Sequence, residues 1–293
     1  MKVGNSHFGK VGKNWMAGKH LLITGASSGL GRELAVRMTG VCRRLTLVAR
    51  NRNGRLDQLL KELQHTHLTD STVHEIRIDG HAFDVRDEAR TVALLQRIYG
   101  EEHDQIDAFV NCAGGTHTFG LLENMSVHDI DEIVDVNAKS PMYWLKELLP
   151  RMKCNRLQQD DMKRGHVIML SSRSGERALP NLSVYAAAKG CVEKLVEAVR
   201  AEYAAFRIAF TLVNPGSVNT AFTERWPAAL RDAHNGESMS VEQAIEPVVE
   251  ALGSQFAVNK ISYESMQQWL GEPGVLVPQP LSIKEDEREL ARK

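Results

Sequence analysis

The sequence predicts an α/β fold, a doubly wound parallel sheet with helices on both faces, built as a single domain. Two observations support this prediction. Apolar runs of strand length alternate with segments of helical spacing over most of the 293 residues, a pattern that favours a parallel sheet with right-handed crossovers. The first apolar run also ends in a glycine-rich turn that leads directly into a helical segment. No composition shift and no internal repeat divides the chain, so one domain is expected.

The strand candidates are continuous apolar runs, as expected for strands that are buried on both faces. In chain order they cover residues 20–24, 43–50, 81–85, 106–111, 165–170 and 207–213. Helical spacing covers residues 32–38, 56–63, 87–99 and 130–152 and lies within residues 180–206. Two stretches fit neither pattern. Residues 65–81 are expected to form a surface excursion, and residues 153–164 a charged insertion.

Composition argues against several classes of function. The chain has 36 lysines and arginines against 37 aspartates and glutamates, so its formal net charge of -1 gives no electrostatic basis for binding nucleic acid or an anionic membrane. No apolar run approaches the ~20 residues of a membrane span. The four cysteines show neither metal-site spacing nor a disulfide-rich pattern. We therefore expect reduced thiols, no metal site and a cytoplasmic location.

Both ends of the chain are expected to lie outside the folded domain. Residues 1–18 are polar, basic and glycine-containing and lack the apolar core of a secretory signal, which predicts a flexible leader. Residues 283–293 are rich in charge and are typical of a disordered tail. The domain is therefore assigned to residues 19–282.

The glycine-rich turn after the first strand is a candidate phosphate-binding site. Without a Cβ, the backbone at Gly25, Gly29 and Gly31 can come close to a bound phosphate. The helix that follows points its free N–H groups and its positive dipole end at that phosphate. The spacing Gly-x-x-x-Gly-x-Gly differs from the commoner Gly-x-Gly-x-x-Gly fingerprint. Taken alone, the pattern is weak, because an ordinary strand-to-helix turn can also hold three glycines.

Small or polar residues stand at the ends of several predicted strands. In a doubly wound sheet, ligands bind at the carboxyl ends of the strands. The residues at these ends are Gly25, Arg50, Asp84, Asn111, Ser172 and Pro215. Their convergence predicts a binding site at this edge of the sheet.

A tyrosine and a lysine near the start of a predicted helix indicate acid–base chemistry. Tyr185 and Lys189 are four residues apart and share a helix face. A free phenol, with a pKa near ~10, is a poor catalyst at neutral pH, and a neighbouring cation lowers that pKa. Ser172, at the end of the preceding strand, can donate a hydrogen bond to a substrate oxygen on which negative charge develops. Taken alone, each feature more often has a structural role than a catalytic one, because Tyr and Lys four apart occur on many amphipathic helices and Ser-Ser at a strand end is an ordinary turn.

Taken together, these motifs closely resemble the short-chain dehydrogenase/reductase family in its small single-domain form. The resemblance runs in order from about residue 19 to residue 220, and the combination is highly specific. The motifs that carry it are Thr24-Gly25-x-x-x-Gly29-x-Gly31, Asn111-Cys112-Ala113-Gly114, Asn137, Ser172, Tyr185-x-x-x-Lys189 and Asn214-Pro215-Gly216. One departure is Cys112, where the family commonly has asparagine. In the family that position is tied to the integrity of the sheet, so catalysis is little affected.

The resemblance implies a Rossmann-like fold and a catalytic set of Asn137, Ser172, Tyr185 and Lys189. In this set Tyr185 is the general acid or base. Lys189 lowers the pKa of Tyr185 and binds the nicotinamide ribose. Ser172 holds the substrate oxygen, and Asn137 holds a water that links Lys189 to solvent.

The resemblance also implies the residues that bind the cofactor. Asp84 and Val85 resemble the family's adenine contacts, Thr220 resembles the residue that holds the carboxamide, and a mobile substrate lid is implied at about residues 221–240. The full implied set is Gly25, Ser27, Ser28, Gly29, Leu30, Gly31, Arg50, Asp84, Val85, Asn111, Ala113, Gly114, Tyr185, Lys189, Pro215, Gly216, Val218 and Thr220.

The end of the second strand favours NADP over NAD. An acidic residue there would accept hydrogen bonds from the ribose hydroxyls of NAD and would repel a phosphate. This chain has Arg50 instead, whose planar guanidinium can hold the 2′-phosphate of NADP. The alternative is a solvated arginine in a surface loop.

The leading functional hypothesis is an NADP(H)-dependent oxidoreductase. It would transfer hydride between nicotinamide and the carbonyl of a small molecule, as a ketone or β-ketoacyl reductase does or, in reverse, an alcohol dehydrogenase. One alternative is a dehydratase or epimerase, since related sugar-modifying enzymes share the Tyr-x-x-x-Lys pair. A second alternative is a sensor or scaffold that binds NADP without turnover. The intact set of Asn137, Ser172, Tyr185 and Lys189 argues against the second.

A homodimer or homotetramer is also expected. In the family, the helices equivalent to those of Asn137 and Tyr185 pair across a two-fold axis. In this chain these helices carry more apolar positions than one face against the sheet requires. The positions in question are Leu145, Leu148, Leu149, Leu195, Val196 and Val199.

Overall fold

The computed structural model describes residues 14–69, 76–158, 161–177, 180–220, 223 and 238–263. Within these ranges the chain forms one parallel sheet whose strand order is β3-β2-β1-β4-β5-β6-β7. The strands are β1 (His20–Thr24), β2 (Arg44–Ala49), β3 (Arg77–Ala82), β4 (Ala108–Asn111), β5 (Gly165–Leu170), β6 (Ile208–Pro215) and β7 (Lys260–Tyr263). The order reverses between β1 and β4, which opens a crevice at the carboxyl edge of the sheet. The predicted Rossmann-like fold is confirmed.

Helices cover both faces of the sheet because successive strand side chains point to opposite sides. In β1, Leu21 and Ile23 join one buried cluster and Leu22 joins the other. The first cluster contains residues of α1, α2 and α8, and the second contains residues of α3, α5 and α7. The helices are α1 (Gly29–Met38), α2 (Arg55–Thr69), α3 (Glu88–Gln96), α4 (Val127–Val134), α5 (Ser140–Met152), α6 (Arg173–Glu176), α7 (Ser183–Glu202) and α8 (Val241–Gly253).

The long helix predicted over residues 130–152 consists of α4 and α5 joined by a π-helical turn at Asp135–Lys139. Pro141, in the first turn of α5, is tolerated there. Because it has no backbone N–H, it cannot donate the α-helical hydrogen bond to the carbonyl of Asn137, four residues earlier. Such π turns are frequent at functional sites, and this one carries Asn137.

The third strand was predicted at residues 81–85, and this prediction is wrong. β3 runs from Arg77 to Ala82, so it takes up the end of the stretch that was expected to be a surface excursion. The start of that stretch belongs to α2, and residues 70–75 lie outside the described ranges. β3 is an edge strand whose residues are mostly exposed or half-buried, so it lacks the apolar run that marks the central strands.

Two further corrections concern the ends of the domain. Trp15 and Met16 fall in the predicted leader, yet they are only 2% and 0% exposed and belong to the core under α8. The folded domain therefore begins before residue 19. At the other end, β7 was not predicted, because four residues at a sheet edge give too short a signal. The predicted tail, residues 1–13 and all of the predicted lid except 223 and 238–240 lie outside the described ranges.

Within those ranges, no helix is both long enough and apolar enough to span a membrane.

Candidate active site

The turn after β1 is pressed against the turn after β4 at the crevice. Gly25 has a φ of +68°, and a Cβ there would lie 2.7 Å from the backbone nitrogen of Ala113. Only glycine combines this left-handed conformation with so close an approach of two backbones. The contact brings the predicted phosphate-binding turn next to the Cys112–Gly114 segment, as the sequence predicts.

The amino end of α1 is left open for an anion. Its N-cap residue, Ser28, makes no side-chain capping hydrogen bond, and no acidic residue lies in the first turn. The helices α3, α4 and α8 differ, because Asp87, Ser126 and Ser240 each accept a backbone hydrogen bond as caps. The free N–H groups and dipole of α1 therefore suit a pyrophosphate, and the residues present fit a dinucleotide.

Positive charge collects beyond β2 and β3. The side chain of Arg50 is 46% exposed, and its nearest described carboxylate oxygen, on Asp84, lies 3.8 Å from Nη1. Burial, and then the neighbouring Arg52, lower the pKa of Arg50. Asp84 accepts hydrogen bonds from Arg86 Nε at 3.0 Å and Nη2 at 2.9 Å. Sequence reasoning missed Arg86, although its position two residues after Asp84 could have suggested it.

Ser172 and Tyr185 are brought together by α6 and α7. Ser172 is the N-cap of α6, and its Oγ accepts a hydrogen bond from the backbone N–H of Ser174 at 3.1 Å. Tyr185, in the first turn of α7, is 7% exposed and is hydrogen-bonded to the Ser172 side chain. A hydroxyl and a phenol that touch each other in a buried setting can hold one substrate oxygen between them.

The pKa of Tyr185 does not shift as the sequence suggested. Burial raises the pKa of Tyr185 to about 12, against the opposing effect of the hydrogen bond with Ser172. Lys189 Nζ lies 5.8 Å from the centre of the phenol ring and donates to the carbonyl of Leu170 at 3.0 Å. In this structure desolvation therefore sets the direction of the shift in the pKa of Tyr185, and the phenol is held protonated.

Lys189 is itself strongly affected by its surroundings. It is 4% exposed, and burial lowers the pKa of its ammonium to about 8. The contacts described for it are the Leu170 carbonyl and the Tyr185 ring, with no carboxylate among them. A buried ammonium with this pKa exchanges its proton close to neutral pH.

Asn137 and Lys189 meet over the turn that follows β4. Asn137 Oδ1 accepts from the N–H of Gly115, and Nδ2 donates to the carbonyls of Gly115 and Ile133, all at 2.8 Å. A Cβ on Gly114 would lie 2.8 Å from Asn137 Oδ1 and 3.0 Å from Lys189 Nζ. Glycine at this position therefore allows the two side chains to approach each other.

Two of the predicted cofactor residues, Asn111 and Val85, have structural hydrogen bonds of their own. The side chain of Asn111 links two strands of the sheet. Its Oδ1 accepts a hydrogen bond from Thr24 Oγ1 at 2.6 Å, which connects the end of β4 to the end of β1. Val85 is fixed at the end of its loop by Trp144 Nε1, which donates to its carbonyl at 3.2 Å.

The segment from Pro215 to Thr220 reaches the glycine turn. The N–H of Gly216 donates to the carbonyl of Tyr263 at 2.7 Å, and Val218 pairs with Met239. The Thr220 methyl lies 3.5 Å from where a Cβ on Gly29 would stand, and Ser27 and Leu30 are half-buried in the same turn. The structure thus brings the predicted residues from both ends of the site to one crevice.

An open helix terminus at the same edge of the sheet as Ser172 and the buried Tyr185 and Lys189 is typical of a dinucleotide-binding protein with an acid–base site. The family model for short chain dehydrogenases matches residues 19–231, well over half of the chain. The chain therefore belongs to the short-chain dehydrogenase family. Members of this family are oxidoreductases that bind a nicotinamide cofactor and act on small molecules.

Similar proteins support this assignment. Dehydrogenase/reductase SDR family member 7B of Xenopus tropicalis is 28% identical over 242 residues, covering 80% of this chain and 74% of that protein. A short-chain type dehydrogenase/reductase from Mycobacterium ulcerans is 20% identical and shares the fold with a TM-score of 0.72, over 87% of this chain and 91% of its own. An alcohol dehydrogenase from the archaeon Thermococcus sibiricus, solved in complex with 5-hydroxy-NADP, is 23% identical with a TM-score of 0.68, over 84% and 96%.

Proposed function

We propose that this protein is an NADP(H)-dependent carbonyl reductase acting on a ketone or β-ketoacyl substrate. The observation that carries the proposal is the hydrogen bond between the buried Tyr185 and the half-buried Ser172, with the buried Lys189 beside them at the carboxyl edge of the sheet. When bound, NADPH would supply the hydride. The rest of the chemistry falls to these side chains, which must hold the carbonyl oxygen and deliver its proton.

The pKa of Tyr185 favours the reductive direction. A phenol whose pKa is raised to about 12 keeps its proton at neutral pH and is a ready acid. As a carbonyl is reduced, its oxygen becomes alkoxide-like, a much stronger base than a phenolate, so the transfer from Tyr185 runs downhill. Ser172 would donate a second hydrogen bond to the same oxygen. Alcohol oxidation would instead need the deprotonated phenol, which burial disfavours.

Lys189 and Asn137 are suited to returning the proton. Lys189, with a pKa of about 8, can give up a proton near neutral pH. The Asn137 side chain makes three hydrogen bonds to Gly115 and Ile133, which use both Nδ2 hydrogens, so it has no proton left to donate in the relay. Its backbone carbonyl is the group that Pro141 leaves without an α-helical donor. We therefore assign the relay water to that carbonyl.

NADP is favoured over NAD because Arg50 follows β2 and no acid stands at that strand end. Arg50 is half-exposed and makes a single loose contact with Asp84, so its guanidinium is available to a 2′-phosphate. Arg52 and Arg86 add positive charge to the same region. The archaeal relative's complex with an NADP analogue is in keeping with this preference.

The proposal of a homodimer or homotetramer now stands on the family resemblance. The apolar residues expected to face a partner lie instead in this chain's own core, with Leu195 partly buried against it. The others are Leu145, Leu148, Leu149, Val196 and Val199. On the outer side, Met142 of α5 is exposed, and Val134 and Val184 are half-buried. Light scattering at micromolar concentration would report a dimer or tetramer, and a monomer would contradict the proposal.

The functional proposal is tested by NADPH oxidation on a panel of ketones, aldehydes, quinones and β-ketoacyl thioesters. Turnover of one class with NADPH preferred over NADH is the expected result. If NADPH binds tightly, as seen by its fluorescence, and is oxidised by no member of the panel, the protein is a sensor or scaffold. Dehydration or epimerisation of a nucleotide sugar without net NADPH oxidation would support the dehydratase or epimerase alternative.

A further inference from the structure

Behind the serine of the site lies a polar cluster, buried at Glu193 and Asn214 and open to solvent at Lys260, that the proposed chemistry does not use. It joins four elements that are distant in sequence: α6, α7, β6 and β7. We call it the anchor cluster. Its members are Glu176, Glu193, Asn214, Lys260 and Ser262.

Glu176, the last residue of α6, is the centre of the anchor cluster. Its Oε1 accepts from Asn214 Nδ2 at 2.9 Å and from Ser262 Oγ at 2.5 Å, and Lys260 Nζ lies 2.7 Å away. Its other oxygen pairs with Arg173 in the same short helix. Burial acts to raise the pKa of Glu176, but the hydrogen bonds from Lys260, Ser262 and Asn214 lower it to about 2. The carboxylate is therefore ionised at any physiological pH.

Glu193 completes the cluster from α7. It is 7% exposed and stands one helical turn after Lys189. Its Oε1 accepts from Asn214 Nδ2 at 2.8 Å, and its Oε2 accepts from Lys260 Nζ at 3.0 Å. Asn214 and Lys260 thus each bridge the two glutamates, which ties α6 to α7 through the edge of the sheet.

The two helices also touch directly beside Lys189. A Cβ on Gly175 would lie 2.8 Å from Glu193 Oε1 and 3.0 Å from the carbonyl carbon of Lys189. No side chain can stand between α6 and α7 at this point. A small displacement of α6 would therefore also displace the part of α7 around Lys189 and Glu193.

A helix of four residues has almost no stability of its own, so what holds α6 must come from outside it. Ser172 caps this helix, and it also bonds Tyr185. We infer that Glu176, through the anchor cluster, is a positioning residue that fixes Ser172 against Tyr185 for proton transfer. This inference rests on the proposed function. Glu176 lies outside the motifs, and it acts through Ser172 without touching the reacting atoms.

A double-mutant cycle separates positioning from general support of the fold. Glu176→Gln keeps the shape but removes the charge that holds Lys260. We expect kcat to fall about 10- to 100-fold, the scale of a displacement near 1 Å, with KM for NADPH unchanged. In a Ser172→Ala background, Glu176→Gln should cause no further loss, because residues that act as one unit are not additive. The carbonyl used is the panel member that wild type turns over fastest.

Glu197→Gln is the matched control, since Glu197 lies on α7 in an exposed pair with Lys194. It should leave kcat unchanged. Kinetics are read at a temperature where circular dichroism shows each variant fully folded. If the losses from Glu176→Gln and Ser172→Ala multiply, or if KM for NADPH rises while kcat holds, the cluster only supports the sheet and the inference is wrong.

Two further measurements distinguish failure of the proposed function from failure of this inference. If Ser172→Ala keeps wild-type turnover, Ser172 does not hold the substrate and the proposed chemistry falls. If wild type reduces nothing on the panel, amide hydrogen exchange over residues 172–177 still decides the anchoring. Faster exchange there in Glu176→Gln and not in Glu197→Gln supports it, and equal protection overturns it.

Discussion

Two buried cations stand at opposite edges of the same sheet, and the protein treats them differently. Arg44 begins β2 at the amino edge and is 1% exposed. Asp79, Glu102 and Asp104 place carboxylate oxygens at 2.6, 2.6 and 3.0 Å from its guanidinium. Burial acts to lower the pKa of Arg44, but these acids together raise it. A structural cation is neutralised where it is buried.

Lys189 at the carboxyl edge is nearly as buried but has neutral partners, and the pKa of its ammonium falls to about 8. A charge left uncompensated in this way costs stability and remains available to a ligand or a proton. An uncompensated buried charge next to a phenol and an open helix terminus therefore marks the site.

A lowered pKa alone does not mark a site. Burial also lowers the pKa of Lys163 to about 7, yet this ammonium lies 4.0 Å from the ring centre of Trp15 and donates to the carbonyl of Ser254 at 2.7 Å. Its remaining contact is His166, at 3.0 Å. These neighbours hold the domain's first described residues against the sheet. The groups around each cation, more than its pKa, therefore distinguish Lys163 from Lys189.

The largest expected effect comes from removing the uncompensated charge. Lys189→Met should lower kcat for carbonyl reduction by about 10²–10⁴-fold, because the group that returns the proton to Tyr185 is lost, and should weaken NADPH binding. It should not lower the free energy of unfolding, since an apolar side chain suits the buried position. Steady-state kinetics and urea unfolding measure both. Lys194→Met, at an exposed position of the same helix, is the control. Equal kinetics for the two variants would show that the buried position of Lys189 has no special role in turnover.

Arg44→Met should do the opposite. Removing the guanidinium leaves three carboxylates with only the more exposed Arg43 and Arg77 as partners, and should lower the free energy of unfolding by at most about 3–5 kcal/mol. The lower end is expected because these acids keep 17–21% exposure. The variant that remains folded should keep wild-type kcat. Urea unfolding at constant salt is the measurement. A loss of kcat in fully folded protein would mean that the amino edge also contributes to the reaction.

Arg50 is a third kind of cation, half-exposed and loosely paired. Arg50→Asp should cut the preference for NADPH over NADH by about ten- to a hundred-fold, from a charged hydrogen bond worth roughly 1.5–3 kcal/mol. The exposure of Arg50 puts the effect toward the lower end and makes it sensitive to salt. The ratio of kcat/KM values for the two cofactors is compared with that of Lys194→Asp, the same charge change elsewhere. An unchanged ratio would make Arg50 a surface residue.

The last expected effect is on the pH dependence of stability. The pKa of Lys189 is about 8 when folded and near its ordinary value of 10.5 when unfolded. Between these values the unfolded chain binds the additional proton, so stability rises with pH through this window. Lys189→Met removes this contribution, and its advantage over wild type should shrink from about pH 7.5 to about pH 9.5. A constant difference in unfolding free energy would show that Lys189 is not desolvated.

The carboxyl edge was largely predictable because its residues come in short, local spacings. Gly25 to Gly31 and Tyr185 to Lys189 each span about one or two helical turns, and the strands between them are apolar. The sequence misplaced β3 and missed β7 because edge strands lack a full apolar run.

Other features depend on contacts between distant residues, and no spacing reveals them. Glu176 and Ser262 are 86 residues apart in sequence, and Trp15 packs below Lys163 from a segment that looks like a leader. The pKa of Tyr185 was expected to fall, because the neighbouring lysine is visible in the sequence. The burial that raises it is a property of the folded protein.

In the proposed reaction, Tyr185 delivers the proton to a carbonyl oxygen. Tyr185→Phe removes one hydroxyl and keeps the ring that packs in the buried cluster around α7. With the best carbonyl of the panel and NADPH, we predict that kcat falls by about 10²–10⁴-fold. NADPH affinity, read from cofactor fluorescence, should stay at the wild-type value. Near-normal kcat in Tyr185→Phe would contradict the account.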